Sequence, residues 1–136
     1  MTEELKYIKA HEDEPHKSED YVNLLHTYLH HYISRNELRY DVKYCFEKGR
    51  VIGVYLGEEL IGAAAGVYTP FFKDFHITHL AVDENHRKKG IGQEMVERVI
   101  PEGVSSSVHL NVENPESRRF YERIGYRFTH IRFRKD

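Results

Sequence analysis

The run Arg87-Lys88-Lys89-Gly90-Ile91-Gly92 places three basic residues directly before two closely spaced glycines. It falls where a strand and a short loop feed a helix. Backbone amides at such a helix start can point at an anion without a Cβ in the way, and the cationic side chains add charge beside the positive end of the helix dipole. The chemistry that suits this composition is the holding of a phosphate or diphosphate. An ordinary loop, turned by Gly90 and solubilised by basic residues, has the same composition. The run also lacks the Gly-Lys-Ser/Thr ending of a P-loop and the Gly-x-Gly-x-x-Gly spacing of a dinucleotide fold.

The elements that must position this loop follow from hydrophobic periodicity. Glu4 to Ala10 alternates as a first strand, broken by the polar stretch His11 to Lys17. Ser18 is placed to cap a helix whose apolar positions Tyr21, Val22, Leu25, Tyr28, Leu29, Tyr32 and Ile33 recur at helical spacing through about Ser34. A second helix runs from Asn36 or Glu37 to Lys48, with Leu38, Val42, Cys45 and Phe46 inward and Gly49 as its stop. Arg50 to Leu56 and Leu60 to Tyr68 read as a hairpin turned at Gly57-Glu58-Glu59. Phe75 to Val82 is a central strand leading into the basic loop. Ile91, Met95, Val96, Val99 and Ile100 form one helical face, Ser106 to Val112 a further strand, Glu116 to Ile124 a short helix and Tyr126 to Phe133 a last strand. This order predicts an α/β (α+β) fold, in which a mixed, mostly antiparallel sheet of about six to seven strands is flanked by about four helices.

The chain has 136 residues, 40% of them hydrophobic and 31% charged, which suits one compact domain over 1–136. A net charge of −2 offers nucleic acid no general attraction, so no nucleic-acid partner is expected. No apolar run approaches the length of a membrane span, and the start Met1-Thr2-Glu3-Glu4 is not that of a signal peptide; a cytoplasmic home is expected. Cys45 is the only cysteine and reads as packing. His26 and His30 lie one helical turn apart beside His31, yet nothing supplies a convincing third ligand, so no metal is expected. The acidic run Glu12-Asp13-Glu14 reads as a solvated loop rather than as a subsite for a cation.

Three segments in register, Leu80-Ala81-Val82, the Arg-x-x-Gly-x-Gly loop, and Asn114-Pro115-Glu116-Ser117-Arg118-Arg119-Phe120-Tyr121-Glu122-Arg123-Ile124-Gly125-Tyr126, together resemble the Gcn5-related N-acetyltransferase (GNAT) superfamily. The resemblance is specific from about Phe75 to Phe128 and rests on element order alone upstream. It implies the acyl-CoA N-acyltransferase fold, with acetyl-CoA as cosubstrate and an amine as acceptor. It also implies that the amides of Arg87, Lys88, Lys89, Gly90, Ile91, Gly92 and Gln93 bind the diphosphate, and that the backbone of Leu80, Ala81 and Val82 pairs with the pantetheine arm like an added strand. An amide near Leu80 would polarise the thioester carbonyl. Asn114 matches a pantetheine-holding position, though capping the helix that starts near Pro115 is an equally good use for it. Tyr121 matches the tyrosine that protonates the departing thiolate. Homodimers are common in the family.

Amine acylation needs an uncharged nucleophile, because an ammonium with a pKa of about 10 has no lone pair. Where relatives often carry a glutamate base, this chain has His76 and His79. Simple alternation puts His76 and Thr78 on the face of Leu80 and Val82, with His79 on the other, unless a bulge intervenes. His76 is the first choice of base and His79 the second, against structural histidines with water taking the proton; His109 and Glu113 are weaker candidates. The acceptor is expected between the first two helices, the Thr69 to Asp74 loop and the parting of the Phe75 and Ser106 strands, lined by Tyr28, Tyr32, Tyr40 and Tyr68. The expected function is transfer of an acetyl group to a primary amine of a small molecule or peptide by direct attack in a ternary complex. The alternative is a non-catalytic acyl-CoA-binding regulator.

Overall fold

The computed structural model describes residues 4–110, 114–129 and 133–135. One sheet carries the strands in sequence order: β1 (Leu5–Lys9), β2 (Arg50–Leu56), β3 (Glu59–Thr69), β4 (Asp74–Val82) and β5 (Ser106–Val108). The pairs β1–β2, β2–β3 and β3–β4 are antiparallel, whereas β4–β5 is parallel. The helices are α1 (Ala10–Asp13), α2 (Ser18–Leu29), α3 (Arg35–Lys48), α4 (Ile91–Val99) and α5 (Pro115–Arg123). None is long and apolar enough to cross a membrane.

The apolar stripes of α2 and α3 cover one sheet face. Tyr21, Val22, Leu25, Leu38, Val42 and Cys45 close on Val51, Ala63, Ala65 and Ala81 there. On the other face Ile91, Met95, Val96 and Val99 of α4, joined by Tyr121 of α5, close on Ile52, Val54, Ile61, Ala64, Phe75, Ile77 and Val82. Burial of each large side chain stabilises the fold by about 1.5–3 kcal/mol. The small residues of β3 let helices pack closely on both sides.

Several expectations need correction. The sheet has five strands among the described residues, not six to seven. β5 ends at Val108 rather than Val112, and residues 111–113 lie outside the described residues. Tyr126 to Thr129 form no strand, and the rest of that expected strand falls on residues 130–132, also outside the description, and Phe133. The departure at Tyr126 has a local cause: its N–H bonds to Tyr121 O at 2.9 Å and its hydroxyl lies 2.6 Å from Ser106 Oγ, which fixes the chain against the start of β5 without a ladder. Among the described residues there are five helices rather than about four, because α1 forms one turn in the stretch read as polar and irregular, too short for periodicity to show.

The expected first helix ends at Leu29 instead of Ser34, since the amides of both Tyr32 and Ile33 turn back onto Leu29 O. Ser34 is the N-cap of α3, accepting from Glu37 N. Ser18 lies inside the first turn of α2 with helical dihedrals and does not cap it.

Candidate active site

The site is built around one irregularity of β4. Ala65 pairs with His79 and Gly66 with Ile77, so Thr78 is an extra residue on β4, a β-bulge. Thr78 Oγ1 donates to Ala65 O at 3.1 Å, satisfying a carbonyl at the disrupted point. Successive main-chain groups of a strand point to opposite edges. Before the bulge, Phe75 N–H turns to β5 and donates to Ser105 O at 2.8 Å. After it the phase has changed: Asp83 N–H turns to β3 and donates to Ile61 O at 2.7 Å. The main-chain groups of Leu80 and Val82 therefore face the side of β5.

On that side the described pairing with β5 ends early. The parallel pairing covers only Phe75–Ser106, His76–Ser107 and Ile77–Val108. Beyond Ile77 no further β4–β5 pair is described, and among the described residues the edge of β4 from Leu80 to Val82 has no strand partner. An extended ligand with its own amides can pair with such an edge as an added strand does.

The bulge also sets which way the side chains face. Thr78 lies 3.7 Å from Cys45 Sγ, and His79 Nε2 lies 2.9 Å from Asp41 Oδ2, so both turn to α3. His76 pairs with Val67, which packs on the α2–α3 core, while Leu80 and Val82 pack on the α4 core. The expected facing of His76 and Thr78 with Leu80 and Val82 is thus overturned; all three of His76, Thr78 and His79 share the α3 face. His76 Nδ1 is 3.2 Å from Ser107 Oγ, and its ring centroid is 4.5 Å from that of His109. Burial, reinforced by the neighbouring His109, lowers the His76 pKa and favours its neutral form. Glu113 lies outside the described residues.

The basic loop follows. Gly90 is the left-handed N-cap of α4 at φ 79°, and Lys88 is also left-handed at φ 64°. The amides of Ile91, Gly92 and Gln93 form the free first turn of α4, with Lys88 and Lys89 exposed beside them. This is an arrangement suited to an anion at the end of the β4 split. Arg87 has a different position from its basic neighbours. Its Nε donates to Val82 O at 3.0 Å and its guanidinium lies 4.9 Å from the Tyr28 ring centroid, so it ties the loop to the end of β4 and to α2.

Tyr28 belongs to the same knot rather than to an acceptor pocket. Its hydroxyl donates to Asp83 Oδ1 at 2.9 Å and accepts from Glu84 N at 3.1 Å. Asp83 also receives His86 Nδ1 and Asn85 N, and its carboxyl is held below the usual range, first by His86 and then by Tyr28.

Gly92 has a packing reason as well: a Cβ there would meet the Phe120 ring at 3.1 Å. Phe120 thereby brings α5 against the loop, with Tyr121 alongside at a centroid distance of 4.9 Å. Tyr121 is 6% exposed, and burial raises its pKa, which keeps the hydroxyl protonated. Asn114 caps α5, accepting from Ser117 N at 3.3 Å.

A groove runs along α3 on the face that His79 addresses. One part, about 350 Å³, is lined by Asn36, Glu37, Tyr40 and Asp41. A second, about 230 Å³, shares Tyr40 and Asp41 and continues past Tyr44, Cys45 and Val67 to Thr78 at the bulge. Tyr40 is thus placed as expected, whereas Tyr28, Tyr32 and Tyr68 are not among the lining residues. Glu37, Asp41 and Tyr44 were missed, although with Tyr40 they recur at helical spacing on the side of α3 away from Leu38 and Val42, a signal that a helical wheel carries.

The sequence model of the acetyltransferase (GNAT) family matches residues 10–126. No curated protein matches in sequence. Among solved structures, an aminoglycoside N-acetyltransferase, AAC(6')-Iy, in complex with CoA is similar at 14% identity and a TM-score of 0.73, over 97% of this chain and 93% of that one. A protein from Pyrococcus horikoshii OT3 is similar at 16% identity and a TM-score of 0.76, over 96% of this chain and 93% of its own. The diaminobutyrate acetyltransferase of Paenibacillus lautus, in complex with L-2,4-diaminobutyric acid and coenzyme A, is similar at 15% identity and a TM-score of 0.68, over 88% of this chain and 74% of that one. At such identities the structural likeness is one of fold. The family match, which takes in α1 to α5 and the split sheet, is the stronger finding, and by it the chain belongs to the acetyltransferase (GNAT) family.

Proposed function

We propose that the protein is an acetyl-CoA-dependent N-acetyltransferase that moves the acetyl group to a primary amine of a small molecule or peptide by direct attack in a ternary complex. The observation that carries this reading is the bulge-phased edge of β4, where the N–H groups of Leu80 and Val82 turn to the side of β5 beyond its last described pair and the first-turn amides of α4 continue the line. That geometry fits a ligand with an anionic end and an extended, amide-bearing arm. The solved relatives named above that act on aminoglycosides or diaminobutyrate support an amine acceptor.

In this reading the Ile91 to Gln93 amides, with Lys88 and Lys89, hold the diphosphate, while Ala81 keeps β4 against β3 and its neighbours Leu80 and Val82 pair with the pantetheine. Arg87 contributes by holding the loop in shape. The Leu80 N–H stabilises the oxyanion as the carbonyl becomes tetrahedral. Tyr121 gives its proton to the departing thiolate, and His76 or His79 of β4 receives the proton of the amine. The whole of 1–136 acts as one catalytic domain.

The test is turnover of acetyl-CoA with a panel of amines, comparing wild type with Tyr121→Phe. Turnover with at least one amine, and a fall in kcat of about 100-fold in the variant at unchanged acetyl-CoA affinity, is expected. Tight acetyl-CoA binding with no turnover on any amine refutes the enzyme reading.

A further inference from the structure

We infer that Asp41 on α3 is a positioning residue that turns His79 into the proton acceptor of the reaction, so that the acceptor amine is deprotonated from the α3 groove. The inference rests on the acetyl-transfer reading and extends it to a residue on another element.

The geometry separates the two histidines of β4. His76 sits in the part of β4 still paired to β5, opposite Ser107, with its Nδ1 at Ser107 Oγ and its ring against His109. His79 lies beyond the last β4–β5 pair and directly precedes Leu80. The bulge gives it a facing that plain alternation with Thr78 would deny, toward α3, where Asp41 lines both parts of the groove. His79 is 12% exposed and Asp41 39%, so the imidazole is shielded while the carboxylate reaches the groove.

The contact at 2.9 Å joins His79 Nε2 to Asp41 Oδ2. With Nε2–H donating to the carboxylate, the neutral ring carries its lone pair on Nδ1, and the ring is fixed in one orientation. A base held by a hydrogen-bonded carboxylate is the arrangement that proton abstraction needs. Where the groove reaches the bulge, Thr78, Tyr40 and Tyr44 line it with Asp41, while the carboxylate of Glu37 lines the other part.

His79 Nδ1 takes one N–H proton of the acceptor as its nitrogen bonds to the carbonyl carbon. The carbon–sulfur bond breaks, and the thiolate leaves with the Tyr121 hydroxyl proton. The proton on His79 passes to solvent and one from solvent restores the Tyr121 phenol.

The experiment measures kcat and both KM values for wild type, Asp41→Asn, Asp41→Glu, His79→Ala and His76→Ala, with acetyl-CoA affinity by calorimetry and folding by thermal melt. His79→Ala is expected to lose about 100-fold in kcat at unchanged acetyl-CoA affinity and to regain turnover with added imidazole. Asp41→Asn is expected to lose about 10-fold in kcat with the KM for acetyl-CoA unchanged, and Asp41→Glu to recover most of it. A tie of purely structural value would instead lower the melting temperature of Asp41→Asn without moving kcat, and that result overturns the inference. A larger kcat loss in His76→Ala than in His79→Ala overturns it too. Absence of turnover by wild type on every amine overturns the acetyl-transfer reading itself, and this inference with it.

Discussion

Replacing Tyr28 with Phe separates two uses of that side chain. The ring remains, so its contact with the Arg87 guanidinium, 4.9 Å from centroid to Cζ, is kept. What is lost is the hydroxyl that donates to Asp83 Oδ1 at 2.9 Å and accepts from Glu84 N at 3.1 Å. The first bond matters more. A hydrogen bond to a charged partner stabilises by about 1.5–3 kcal/mol, but the Asp83 side chain is 21% exposed and keeps His86 Nδ1 and Asn85 N as partners. That argues for the low end, about 1.5 kcal/mol, while the exposed Glu84 amide turns to water at little cost. A loss of that size lowers the melting temperature of a domain this long by about 3–6 °C. Because residues 83–87 link β4 to the loop that starts α4, the KM for acetyl-CoA should rise several-fold while the KM for the amine stays put. Thermal melts and two-substrate kinetics read both effects. An unchanged melt together with a raised amine KM would refute the knot and return Tyr28 to the acceptor pocket.

Further outcomes follow from other parts of the molecule. Gly90 sits at φ 79° with open space where a Cβ would go, so Gly90→Ala carries a torsional cost of about 1–2 kcal/mol, read as about a 5- to 30-fold loss of acetyl-CoA affinity in calorimetry. Gly92→Val drives side-chain atoms into Phe120 and should lower kcat through displacement of Tyr121, more than it lowers acetyl-CoA affinity. Burial pushes the Cys45 thiol up to about 11, so the native protein should resist thiol reagents at neutral pH and react only when unfolded; rapid native labelling would contradict the packing described. Glu19 accepts from Arg39 and Arg35 and its carboxyl is held at about 2, chiefly by Arg39. A carboxyl depressed in the folded state stabilises above its unfolded pKa of about 4.3 and loses that contribution as pH falls through its folded value. Glu19→Gln should therefore melt below wild type at pH 7 and together with it near pH 2; a constant gap across that range would exclude the ion pair as the cause.

The residues proposed for the donor side were legible because their signals are local. Gly90 and Gly92 fall at a strand-to-helix junction, and Tyr121 lies within one short helical run, so each can be placed from a few neighbouring residues. The acceptor side was not, since it depends on contacts between residues distant in the chain. Asp41 meets His79 across 38 positions, and no pattern around Asp41 distinguishes it from a solvated helix face. Tyr28 failed for the same reason in reverse: helical spacing marked it as apolar and inward, while its hydroxyl partner, Asp83, is 55 residues away. Ser34 was misplaced although Ser34-Arg35-Asn36-Glu37 has capping-box spacing, because an apolar periodicity running through Tyr32 and Ile33 outweighed it.

The bulge at Thr78 is the point where these two sides become one site. In a regular strand, an amide turned toward the β5 gap at Leu80 would require the same parity at Thr78 and His76, and the pairing of Phe75 with Ser105 would then have to be given up. One extra residue lets the early part of β4 bond to β5 and turns the amides of the later part to the same side, where among the described residues they have no strand partner. It also turns Thr78 and His79 together toward α3, so that the imidazole meets Asp41 of the groove lining while the next amide along the chain turns to the side of β5. The proton acceptor and oxyanion donor that we propose would thereby be held on adjacent residues of one strand, buttressed by β3, with no loop between them to blur their spacing.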